Sequence, residues 1–325
     1  IRVGVIDFQA ASNVSTAGSV AGNLVFTADD GITFNDDAAF AQQVTFNADG
    51  DSDNTGAITR GAAEVITAPT VNLNAATGIA IDTVAANISA VNSTSGNIDL
   101  NNAATASTTL TNIDHQGTGN ILFDQTGNQT LALTSVTAND GDITITNTGG
   151  VDSDITVKTV TADTTDDTVS ITAEDGIIDD AADTATDIIS AANISLTSSA
   201  NATGIGQGAE GAIQVNAVVS FAADASTGGG NITVEDTTGD FPLGLVDAGT
   251  GTVDLTSAGS MTDANAGANN IAAATADLTA TGAIGDLAGA GNGDVSLAPT
   301  DSLETTVSTL SVDAVEAAIA NTIAG

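Results

Sequence analysis

The chain has no cysteine, tryptophan or tyrosine, almost no basic residues and no long apolar run. Without cysteine there is no disulfide framework and no thiolate metal site, and sulfur says nothing of the redox compartment. Lys and Arg total three (Arg2, Arg60 and Lys158) against 41 Asp plus Glu, a formal net charge of -38. Such a surface repels nucleic acid and anionic lipid and attracts cations, so no nucleic-acid partner is expected. No apolar stretch reaches the roughly 18 residues of a membrane helix, and no basic segment leads into an apolar one, so membrane insertion is not expected. The sequence opens within a strand-like segment and without an initiator Met, as expected of a processed product or a piece of something longer.

What is present is small and turn-prone. Only 8 Phe supply aromatic volume, and 42% of residues count as hydrophobic largely through Ala, which implies a narrow interior filled by small aliphatic side chains. The acids are mostly Asp, with Glu confined to positions 64, 174, 210, 235, 304 and 316. Asp suits turns and calcium sites better than helices, so its excess fits a β-rich, loop-rich chain. The regular spacing of Ile, Val and Leu argues against an acidic disordered segment.

That spacing is clearest between residues 96 and 172. Gly96-Asn97-Ile98-Asp99-Leu100, Gly119-Asn120-Ile121-Leu122-Phe123, Gly141-Asp142-Ile143-Thr144-Ile145 and Thr168-Val169-Ser170-Ile171-Thr172 share one pattern, a turn or polar residue followed by alternating apolar positions. Alternation with period two buries one face of each strand and wets the other. Ile98, Ile121, Ile143 and Val169 begin the four apolar stripes. They recur at a near-regular period of roughly twenty-odd positions, which marks a solenoid, whose repeats bury their apolar stripes only by stacking on one another. Weaker strands at 109–113, 130–133 and 154–157 give each period two or three short strands joined by corners. The fold predicted is all-β, a parallel β-helix (β-solenoid) of about 20–26 residues per coil. At about 23 residues per coil it makes roughly 14 coils, on the order of 65 Å long at the spacing of stacked strands.

The segments predicted are 1–20 as an entry strand or cap, 21–310 as the solenoid and 311–325 as a terminal strand or capping helix. Val312, Val315, Ile319 and Ile323 fall at helical spacing with Ser311 as a cap, whereas another strand reads equally well. The phrase Thr27-Ala28-Asp29-Asp30-Gly31-Ile32 returns as Thr172-Ala173-Glu174-Asp175-Gly176-Ile177, with glycine expected to supply a positive φ. Val169, Ile171, Ile177 and Asp179 correspond to Val253, Leu255, Met261 and Asp263 at one constant offset, which reads as a duplicated module of three or four coils.

Gly-Asn-Ile-Thr-Val at 230–234, Gly-Thr-Val-Asp-Leu-Thr-Ser-Ala-Gly at 251–259, Ala-Thr-Gly-Ala-Ile-Gly at 280–285 and Leu-Glu-Thr-Thr-Val-Ser-Thr-Leu-Ser-Val at 303–312 resemble the repeat regions of filamentous-haemagglutinin-like and giant autotransporter-like bacterial surface adhesins. The resemblance spans roughly 20–312 and implies a right-handed parallel β-helix, an extracellular or cell-surface location and a structural or adhesive role. The sequence departs from that pattern in having no amino-terminal secretion domain, membrane barrel or Arg-Gly-Asp motif. Open coil ends are unpaired sheet edges and predict end-to-end self-association. A filament subunit that exchanges residues 1–8 with its neighbour, or a carbohydrate-binding or carbohydrate-degrading β-helix, are the alternatives.

Candidate chemistry centres on Asp49, Asp51 and Asp53 within Asn47-Ala-Asp-Gly-Asp-Ser-Asp-Asn-Thr-Gly56. Carboxylates two residues apart in a turn-rich loop can converge on Ca2+, which takes six to eight oxygens. Counted from Asp49, the loop departs from the common calcium pattern, with Asn54 at the sixth position and Arg60 at the twelfth. Asp36-Asp37, residues 163–167, and Asp179-Asp180 with Asp183 are acidic corners expected to stack as carboxylate ladders, and 289–297 is a single weak copy of a calcium-binding β-roll nonapeptide. A hydrolase of the β-helix fold could use paired Asp such as Asp179 and Asp180 as acid and base. The scarcity of basic residues argues against a lyase or pectin-type hydrolase, so no catalytic residue is assigned. His115 reads as an exposed turn residue. Sequons occur at Asn13, Asn87, Asn92, Asn128, Asn193, Asn201 and Asn231. An ice-binding array is not expected, because strands such as 130–133 interrupt any regular Thr pattern.

Overall fold

The repeated apolar positions stack directly on one another. The computed structural model describes residues 2–8, 23–180, 188–199, 203–207, 211–285 and 302–321. Among these every element is a strand, and the strands pair in parallel as a β-solenoid of about 11 turns. Among the described residues no helix is long and apolar enough to cross a membrane. The chain divides into two compact units, Ile1–Ser153 and Asp154–Gly325.

In the first unit one column of side chains runs Ile32, Ile58, Ile79, Ile98, Ile121 and Ile143. All are buried. A second runs Ile81, Leu100, Phe123 and Ile145 two positions further along the same strands. In the second unit one column runs Ile177, Ile205, Ile232, Val253, Ala276 and Leu310. The steps between coils are unequal. Asn101 reaches back to Asp82 on the previous coil across a sequence separation of 19, whereas Glu304 reaches back to Asn270 across one of 34. Coil length therefore varies more widely than the sequence period implied. The roughly 14 coils expected are corrected to about 11, because several connections between stacked strands are longer than a uniform period allows.

The phrase Gly-Asn/Asp-Ile has a specific role at the corners. Asn120 donates its backbone N–H to Asn97 Oδ1 at 3.0 Å, and Asp142 donates its own to Asn120 Oδ1 at 3.0 Å. Each side chain thus satisfies the next coil's corner amide, which no sheet partner reaches. Gly119 precedes one such corner with φ +147, and a Cβ there would lie 2.5 Å from Gly96 O. Only glycine fits.

Several expectations change. Between the two alternatives for the last segment, the described residues 311–321 take the strand, in Leu303–Asp313, Glu316–Ala317 and Ile319–Asn321, and not the capping helix; Leu278 pairs with Val312, and sheet pairing overrides a weak helical period in a β-branched segment. Residues 322–325 lie outside the described residues, as do 1 and 9–20 of the proposed entry strand or cap. The strand Arg2–Phe8 pairs in parallel with Leu24–Phe34 of its own chain, so it does not lie outside its own fold as exchange required. The interior is not uniformly aliphatic. Phe8, Phe26, Phe34, Phe40 and Phe46 cluster in the first coils, with Phe8 stacked on Phe34 at 4.6 Å and Phe26 on Phe46 at 5.2 Å. The correspondence of Val169 with Val253 does not preserve position: Val169 stacks with Ile194, Phe221 and Leu243, whereas Val253 stacks with Ile232, Ile205 and Ile177. Gly31 and Gly176 lack positive φ. They permit close approach instead, a Cβ on Gly176 lying 2.5 Å from Thr203 Cγ2.

Candidate functional site

The three predicted carboxylates do converge. They sit in the connection between the strands Val44–Asn47 and Ala57–Arg60. Ser52 at φ 61, Asn54 at φ 67 and Gly56 at φ 105 curl the segment tightly. Gly56 is required there, since a Cβ would lie 1.5 Å from Ala48 O. Asp49 Oδ1 accepts the Asp53 N–H at 3.0 Å, and Asp53 Oδ1 accepts both the N–H and the hydroxyl of Thr55 at 2.9 and 2.6 Å. One carboxylate oxygen from each of Asp49, Asp51 and Asp53 falls within 4.8 Å of the others.

Two oxygens on one Ca2+ at 2.3–2.6 Å can be at most about 5 Å apart, so this half-shell suits a hard divalent cation. Backbone carbonyls and water would supply the remaining ligands. The nearby cation Arg60 is engaged elsewhere, bonded to Asp82, whose other oxygen accepts from Asn101 Nδ2 at 2.7 Å. Asp51 and Asp53 are exposed and Asp49 half-buried. A cation bound there would relieve the mutual repulsion of the three.

The other acidic corners behave differently. Asp36 Oδ1 accepts the Asp37 N–H, and Asp37 Oδ1 accepts the Val65 N–H one coil on. At Asp163 the Thr165 hydroxyl, and then its N–H, hold the carboxyl below the ordinary range. Asp179 is buried with Oδ1 unpartnered, whereas the following Asp180 is half-buried. The strand Ile177–Asp179 ends on the first of the pair and Asp180 follows outside it, so one carboxylate is enclosed and the other partly solvated. Asp183 and 289–297 lie outside the described residues. Carboxylates do stack in register, at Asp224 with Asp247 and at Asp254 with Asp277. Burial, and then the charge of Asp277, raise the Asp254 carboxyl.

No protein-family model, no curated protein and no solved structure matches the chain.

Sequence reasoning missed the polar groups inside the coils. His115 is fully buried in the strand Thr108–Thr118, not exposed in a turn. Its Nε2 contacts Gly96 O and lies 3.2 Å from Asn92 Nδ2, while Nδ1 has no hydrogen-bond partner. Asn92, one of the sequons, is also fully buried and donates to Ser95 O and Gly96 O. A second buried row runs Thr83, Asn102, Gln125 and Asn147. The signal was present: each is the third alternating position counted from Ile79, Ile98, Ile121 or Ile143, where period two points inward. In the second unit Asp236 is fully buried with Oδ2 unpartnered. Burial pushes its carboxyl up to about 7, with Asp240 adding to the rise and a long 3.5 Å bond from the Thr238 N–H opposing it.

Proposed function

We propose that the chain is a structural or adhesive segment of an extracellular assembly, in which stacked coils act as a stiff acidic spacer. The observation that carries this reading is the parallel pairing of successive coils among the described residues of each unit, from Arg2–Phe8 through Ile143–Thr148 in the first and from Ile155–Val157 through Ile319–Asn321 in the second. Parallel ladders loaded along their length share force among many hydrogen bonds. The net charge of -38 keeps the surface hydrated and suits it to cations rather than anionic partners. The likeness of its phrases to adhesin repeats supports the same role. Catalysis forms no part of this reading.

Calcium at Asp49, Asp51 and Asp53 would brace one corner of this spacer. Association end to end, through the outer edge of Arg2–Phe8, which has no strand partner among the described residues, would lengthen it under salt that screens the charge.

Single-molecule pulling on the whole chain tests the mechanical reading. A stack of coils unfolds in discrete force peaks; smooth extension without a peak would overturn it. Immunolabelling of intact source cells tests location, and signal seen only after permeabilisation would remove the extracellular assignment.

A further inference from the structure

Beside the acidic loop the outer face of the first unit forms a groove of about 350 Å³. Thr27, Asn47, Asn74 and Val91 occupy consecutive rungs of one outward row, in register across the strands Leu24–Phe34, Val44–Asn47, Thr70–Ala75 and Asn87–Asn92. Asp49 and Ser93 also line it. Gly50 allows the loop to lie against this row, because a Cβ there would stand 2.6 Å from Thr27 Cγ2.

The hydrogen bonding within the row is directional and incomplete. Asn74 Nδ2 donates to Asn47 Oδ1 at 2.8 Å, and Asn47 Nδ2 donates to Thr27 Oγ1 at 3.4 Å. Each amide therefore uses one N–H along the stack and keeps the second, and the Thr27 hydroxyl keeps its own proton. Next to it a parallel outward row repeats the arrangement, with Asn72 Nδ2 donating to Thr45 Oγ1 at 3.3 Å. Rungs lie about 4.8 Å apart, so the unspent donors and acceptors recur at that interval.

Amides, hydroxyls and a carboxylate spaced in this way match a ligand that presents alternating hydroxyls along a chain. Val91 offers an apolar patch to its C–H face. The local charge is negative, from Asp49 with Asp51 and Asp53 close by, which disfavours uronic or sulfated polymers and favours uncharged or amino-bearing ones. We propose that this groove binds a neutral or amino-substituted saccharide chain lying along the rungs. The proposal deepens the adhesive reading and rests on it, by giving the spacer a surface that grips glycan.

The test is titration calorimetry of the whole chain against cellohexaose, mannohexaose and a chitosan hexamer, with an oligogalacturonate as the anionic comparator. Binding to at least one of the first three and not to the last is expected. Asn47→Ala with Asn74→Ala should weaken it by about tenfold or more while the far-ultraviolet spectrum stays unchanged. Should that double variant fail to fold, Val91→Arg, outward and half-buried, fills the groove without touching the core and is expected to abolish binding. Absence of heat with all three sugars, preference for the oligogalacturonate, or unaltered affinity in a folded variant would each overturn the proposal. A chain that gives force peaks and labels on intact cells yet ignores every sugar would remove the groove alone and leave the structural reading in place.

Discussion

Asn102 donates from Nδ2 to Gln125 Oε1 at 3.2 Å inside the stack, one coil above the point where Gln125 Nε2 donates to Asn147 Oδ1 at 3.2 Å. The ladder begins at Thr83, whose hydroxyl donates to Asn102 Oδ1 at 3.0 Å, and ends on Gln129 O, which accepts from both Gln125 Nε2 and Asn147 Nδ2. These amides also serve the backbone, since Ala85 donates its N–H to Asn102 Oδ1 and accepts from Asn102 Nδ2. Removing the middle rung strands polar atoms of its neighbours away from water. Gln125→Leu should cost about 2–4 kcal/mol by urea denaturation, although the gain in hydrophobic content alone would stabilise. Asn102→Leu combined with Gln125→Leu should cost less than the two single changes added together, because the second no longer leaves the first unsatisfied.

Asp236 gives the fold a dependence on pH. Its folded carboxyl is raised to about 7 by burial, above the ordinary value near 4. The protonated form is thus the one the fold prefers, and this contribution is fully present below about pH 4 and lost as pH rises to about 7. Asp236→Asn should leave stability unchanged at pH 4 and raise it at pH 8 by at most about 4 kcal/mol. Denaturant midpoints of both proteins at the two pH values decide this. Equal midpoints at pH 8 would show that Asp236 is not the titrating group.

Gly56 closes the acidic loop in a conformation that side chains resist, with φ 105 and Ala48 O in the way of a Cβ. Gly56→Ala should lower stability by about 2–4 kcal/mol and displace the loop. Thermal melts measure the first effect, and loss of any calcium response measures the second.

Calcium itself should raise the melting temperature. At a concentration about 100 times the dissociation constant, binding to the folded state alone adds about 2.7 kcal/mol. Asp51→Asn and Asp53→Asn change two exposed residues with little consequence for the apo protein, and together they should abolish that rise. A shift that persists in the double variant would place the cation elsewhere.

Much of this was legible from residues alone because a parallel stack is nearly one-dimensional. Ile98, Ile121 and Ile143 announce their own pairing, since each coil contacts mainly its neighbours and the period in sequence becomes adjacency in space. Gly119 and Asn120 mark a corner for the same reason. The grouping of Asp49, Asp51 and Asp53 was also legible, because alternate residues in a short loop are neighbours before any tertiary contact forms. Less visible was the inward polar row, although Asn102, Gln125 and Asn147 continue the apolar alternation by one step. A polar residue there reads as exposed until its partners are known.

The sequence by itself determined the parallel stacking, the acidic surface and the carboxylate loop, all consequences of local period and composition. Only the tertiary structure decided which coil each long corner feeds, that Val253 aligns with Ile177 and not Val169, that the last strands stay in the sheet, and that His115 and Asp236 are enclosed. Those outcomes turn on register, and register is set by the summed fit of every rung with its neighbours, a quantity no single stretch of residues carries.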